Sequence, residues 1–164
     1  MKQHPIKSYM PINQTELVNF RTETHFPDCE MDEILANFME PKKKMAYDQT
    51  AEIIKLIDRQ CFMESNISYT KTKSVWPAGS RDFLTFNHVV RQEGKCWLQC
   101  FSIEDELCPE VKGIIRMQIH DIMVYFEPAP DFNGYIVKCD STFKFGGNLP
   151  IAAVAQRASS DTIA

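Results

Sequence analysis

The sequence predicts an α+β domain built on antiparallel sheet, and three observations carry that expectation. One amphipathic helical pattern stands near the start, alternating strand patterns fill the middle, and a proline-initiated helical pattern closes the chain. The 164 residues are 44% hydrophobic and 24% charged, which fits one globular domain over 1–164 whose core needs no disulfide or metal staple. Internal repeats, low-complexity segments and long Pro/Gly/Ser linkers are absent.

The first helix is expected from Asp28, a residue type that caps helix N-termini, with Met31, Ile34, Leu35, Phe38 and Met39 spaced along one buried face. Asp32 and Glu33 suit its first turn, Pro41 reads as its stop, and Lys42, Lys43 and Lys44 follow its end. Ala51 to Arg59 is ambiguous. Ile53, Leu56 and Ile57 fit a helix and do not separate by parity into two faces, so periodicity favours helix there.

Phe83 to Val90 alternates, Arg91 to Lys95 makes a polar turn, and Cys96 to Ile103 returns, which reads as a β-hairpin. Gly113 to Glu127 is a β-branched and aromatic stretch broken near His120 and Asp121. Tyr135, Val137, Cys139, Ser141, Phe143 and Phe145 alternate with Lys138, Asp140, Thr142 and Lys144, a strand with one apolar and one wet face. Pro150 then opens a last helix with Ile151, Val154, Ala155 and Ala158 on one side.

Eighteen basic residues against 22 acidic ones, net −4, provide no basic stripe for a phosphate backbone, so nucleic acid is not an expected partner. The cysteines, Cys29, Cys61, Cys96, Cys100, Cys108 and Cys139, have neither paired nor zinc-ligand spacing, and no metal or cofactor is expected. Free thiols, the lack of an apolar leader at the N-terminus, and apolar runs far short of a bilayer span point to a cytoplasmic protein, at most peripheral to membranes. The sequons at Asn13 and Asn66 are then chance matches.

The glycines form no dinucleotide or phosphate loop, and no nucleophile elbow or zinc-protease helix occurs. Two catalytic pairings can be drawn. Cys100 with His88 or His120 would make an activated thiolate, and His120 with Asp121 an acid–base couple. Against them stand plainer readings: inert thiols packed in strands, and a polar pair at a strand end. A bent sheet rich in Phe, Met and Cys either packs a dense core or encloses a ligand cavity.

Trp76, Pro77, Ser80, Arg81, Asp82 and Phe83 stand in the order of a motif that resembles the START family, the lipid-transfer domains related to the steroidogenic regulatory protein. The order continues through the hairpin, Ser102 and Ile103, Pro109, Gly113 to Arg116, a final strand, and Gly146, Gly147, Asn148, Leu149 and Pro150 before the last helix. Upstream, Lys44, Met45, Ala46, Tyr47 and Asp48 resemble the family's basic-x-x-Trp-Asp element, with Tyr in place of Trp. The resemblance covers Ile6 to Ala164, and the Gly-Gly-x-Leu-Pro form and the Asp28-Cys29 helix start are similar to the phosphatidylcholine-transfer branch.

The resemblance implies a helix-grip fold: a curved antiparallel sheet wrapped around a C-terminal helix, with an internal tunnel for one lipid molecule, phospholipid or sterol-like. It implies a strand at Ala51 to Arg59, against the periodicity. A shielded path matters because exposing an acyl chain costs about 0.8 kcal/mol per methylene. The chain is thus expected to be a non-catalytic lipid carrier or sensor in transient contact with a membrane surface.

By the same resemblance Lys44 would face a phosphate. Thr70, Phe83 and His120 would occupy the choline-cage positions, while Asn87, with Ser68 nearby, would replace the charged pair of sterol binders. Phe143, Phe145, Ile151 and Val154 would line the tunnel, and Arg91, Gly94, Lys95 and Pro150 would belong to the gate. Against the family pattern an N-terminal helix would be missing and the C-terminal one short, as expected of either a natural short form with a leaky lid or a fragment. The alternatives are a helix-grip enzyme of cyclase or hydratase type using His120 and Asp121 or His88, and an interaction module with a vestigial cavity.

Overall fold

The computed structural model describes residues 17–60, 64–74, 79–93 and 95–147. The strands are β1 (Leu17–Pro27), β2 (Ala51–Gln60), β3 (Ser65–Thr72), β4 (Arg81–Gln92), β5 (Lys95–Ser102), β6 (Ile115–Arg116), β7 (Gln118–Pro128) and β8 (Gly134–Lys144). Two helices, α1 (Met31–Met39) and α2 (Pro41–Tyr47), stand between β1 and β2. The eight strands form one open, curved sheet in the order β1-β8-β7-β5-β4-β3-β2, antiparallel throughout except that β6 joins the start of β4 in parallel.

β1 and β2 are the two edges of this sheet, so the α1–α2 connection passes from one edge to the other. α1 lies on one face, the inner face. Ile34 and Leu35 pack there with Val89, Leu98, Val124, Phe126 and Val137, and Phe38 meets the Phe126 ring edge-on with centroids 6.0 Å apart. Each such side chain contributes about 1.5–3 kcal/mol when fully buried, which is why one short helix suffices to anchor the connection.

Three sequence expectations change in this region. The helix begins at Met31 after Glu30, not at Asp28. Asp28 has a left-handed φ of 56°, and its carboxylate accepts a hydrogen bond from Asn133 Nδ2 at 3.2 Å, tying the β1 end to the β7–β8 turn. Pro41 starts α2 as well as closing α1, because a first-turn proline lacks only an N–H that has no partner anyway, so the three lysines belong to a second helix.

Ala51–Gln60 is a strand, as the resemblance implied and the periodicity did not. The β2–β3 ladder has register shifts between Ala51 and Ile53 and between Leu56 and Asp58, and each extra residue scrambles the period of two. β1 was not anticipated. The hairpin is present as β4 and β5, and the break expected near His120 is a register shift between Ile119 and Asp121. This shift transfers the inner parity from Ile122, Val124 and Phe126 to Ile119, which is 4% exposed. The expected last helix lies outside the described residues.

Candidate inner-face binding site

Strand register arranges the inner face in rows. One row, Val89, Leu98, Val124 and Cys139, meets α1. The next row is Asn66, Asn87, Cys100, Ile122, Ser141 and Phe20, and beyond it stand Ser68 beside Thr85 and Thr70 beside Phe83. β3 and β4 thus bring a patch of amides and hydroxyls onto an otherwise apolar surface.

Asn66, Thr85 and Asn87 are buried, Ser68 is half-buried, and the four are mutually bonded. Asn87 Nδ2 donates to Asn66 Oδ1 at 2.8 Å and to Ser68 Oγ at 2.9 Å, while the Ser68 and Thr85 hydroxyls share a bond of 3.1 Å. Asn66 Nδ2 donates to the Met39 carbonyl at 3.2 Å, so the patch also holds the end of α1. Thr70 differs: it is 1% exposed, and its Oγ1 has no hydrogen-bond partner. A buried hydroxyl in that state costs about 1–3 kcal/mol of desolvation, and a polar group placed beside it would recover part of this.

Lys44 stands half-buried on α2, close enough to the Cys100 thiol to act on it electrostatically. Burial pushes the Cys100 pKa up to about 12, with Lys44 opposing, and burial likewise raises Cys139 to about 11. Cys100 is the register partner of Asn87.

At the other end of the face Phe143 lies 5.6 Å from Phe20 and 5.8 Å from Phe145, ring centre to ring centre. Phe83 is half-buried beside Thr70. His120 is exposed at the register shift and lines a cleft of about 770 Å³ with Ser102, Ile103, Glu104, Met117 and Ile119, walled by the β5–β6 loop. Arg91 is tied to Asp32 at 2.7 Å and to Glu64 at 2.8 Å, which fastens the hairpin to the first turn of α1, and Lys95 is exposed at the start of β5. Gly94, Pro150, Ile151 and Val154 lie outside the described residues.

The Cys100–His88 pairing is not assembled. His88 stacks on Phe86 on the outer face, whereas Cys100 is on the inner face with its thiol held protonated. Asn66 and Thr85 are not among the binding residues expected from the sequence. Their signal was the polar alternation of Asn66, Ser68 and Thr70 in β3, which gains meaning only when set against Phe83, Thr85 and Asn87 in the paired strand.

The fold is shared with solved lipid-transfer structures. A STAR-related lipid transfer protein fragment from Xanthomonas axonopodis is 17% identical, with a TM-score of 0.78 over 99% of this chain and 90% of that one. Human StAR-related lipid transfer protein 5 is 19% identical, with a TM-score of 0.73 over 93% of this chain and 81% of that one. Human STARD10 is 10% identical, with a TM-score of 0.75 over 93% of this chain, which spans 66% of the STARD10 chain. No curated protein sequence is significantly similar to the chain. The START domain model, however, matches residues 2–143, and with the open curved sheet and the helices placed on it, the chain belongs to the START domain family.

Proposed function

We propose that the protein binds a single lipid molecule against the inner face and carries or senses it without catalysis. The carrying observation is the buried amide and hydroxyl patch on an apolar surface, with the Thr70 hydroxyl still unpaired. The lipid's polar end sits at this patch and its apolar part runs toward Phe20, Phe143 and Phe145. Support for lipid as the ligand class comes from the family and from structurally similar proteins that are themselves lipid-transfer proteins by name.

Two polar ends suit the patch. A phosphodiester would use Lys44, a half-buried cation, whereas a sterol-like hydroxyl would use Thr70 and Asn87. Among the described residues no helix is long and apolar enough to cross a membrane.

Native mass spectrometry after incubation with vesicles of phosphatidylcholine and cholesterol tests both levels. One lipid per chain is expected, and Lys44→Met lowers the phospholipid adduct while sparing the sterol adduct if the phosphate reading holds. A protein that never carries either lipid refutes the proposal.

A further inference from the structure

β4 starts with two charged residues, Arg81 and Asp82, that are 6% and 1% exposed. The Asp82 carboxylate accepts from Arg116 Nε at 2.7 Å and Nη2 at 3.1 Å, and from the Tyr69 hydroxyl at 3.2 Å. The same Arg116 guanidinium donates to the carbonyls of Cys108 at 3.4 Å and Pro109 at 3.3 Å, so it fastens the β5–β6 loop, residues 103–114, to β4. Met117 N–H adds a bond of 2.8 Å to the Asp82 carbonyl.

Arg81 holds a different segment. Its Nη1 donates to Gly79 O at 2.7 Å, its Nε to Phe145 O at 3.1 Å and its Nη2 to Gly146 O at 3.4 Å. The turn 145–147 is thereby drawn against β6. Both its glycines have φ of 66°, and a Cβ added to Gly146 or Gly147 would lie 2.9 or 2.7 Å from the Ile115 side chain. Ile115 is the residue before Arg116, and the two pair in register with Arg81 and Asp82. β6 has only these two residues, so its docking is a small, all-or-none event.

We infer that the Arg81–Asp82 start of β4, with β6 docked on it, is a latch that makes the β5–β6 loop and the 145–147 turn open together. Undocking Arg116 from Asp82 frees the wall of the 770 Å³ cleft, and it also moves Ile115 from under the two glycines. Because such coupling is reciprocal, a disturbance at the turn must loosen the loop, although the disturbed residue touches no part of that loop. The latch does not depend on what occupies the inner face.

Hydrogen exchange of the full chain without lipid tests this. Gly147→Ala strains a positive-φ position and presses on Ile115. It is expected to speed exchange of the Cys108 and Ile114 amides, both hydrogen-bonded within the loop, by about tenfold, within the range usual for coupled sites. Adding Ile115→Ala removes the steric part of the disturbance, though not the positive-φ strain, and so restores the loop in part, and Asp82→Asn loosens the turn from the other side. Acceleration confined to the substituted segment, or spread evenly over β1 and β8, overturns the latch.

Discussion

Thr70 carries a cost that its neighbours avoid. Asn66, Ser68, Thr85 and Asn87 satisfy one another, whereas the Thr70 hydroxyl is enclosed without a partner. Thr70→Val keeps the shape and removes the unpaired oxygen, so the lipid-free protein is expected to gain about 1 kcal/mol in denaturant unfolding. The same variant is expected to retain lipid less well, since the removed hydroxyl is the free polar group at the proposed head-group seat. Lower stability together with unchanged lipid retention would remove Thr70 from the site.

Elements here are fixed by the close approach of chain segments as much as by propensity. Gly134 opens β8 with φ of 132°, and a Cβ there would lie 2.1 Å from the Phe26 carbonyl oxygen. Gly134→Ala therefore forces β1 away from β8 at the corner that Asp28 and Asn133 close, and a loss of more than 2 kcal/mol is expected, about the upper range for ordinary single substitutions. An unchanged thermal midpoint would show that the corner yields without cost.

How far an element could be read beforehand followed how regular its pattern was. α1 and β8 were legible because Ile34, Leu35 and Phe38, or Val137, Cys139 and Ser141, repeat at the period of the element. β1 carries a weaker alternation, Val18, Phe20 and Phe26 on the inner face against Asn19, Arg21 and His25, because Thr22 and Thr24 dilute its apolar side. β2 was hidden by its two register shifts. At the proposed site, Asn87 and Thr70 stand at positions that the family likeness points to, but their joining to Asn66 and Thr85 depends on pairing between strands.

For the molecule as a whole, the buried thiols link stability to pH. Burial raises Cys100 to about 12 and Cys139 to about 11, against an ordinary 9.0. Above that ordinary value the unfolded chain loses these protons while the folded chain keeps them. The folded state then binds more protons, and stability falls as pH rises. Their contribution is complete below about pH 9 and drains away toward pH 11 to 12. Urea midpoints measured across that window should fall more steeply for the native chain than for Cys100→Ala; equal slopes would mean that the thiol is solvated.

Composition, charge and local periodicity were enough to establish an α+β chain with antiparallel hairpins, and ordered short motifs pointed to the family, because these signals repeat within a few residues of one another. Which parity faces inward after His120, which edge each outer strand occupies, and which polar groups meet on the inner face were decided by the folded sheet. Register is a relation between distant segments, and one inserted residue reverses every side chain beyond it.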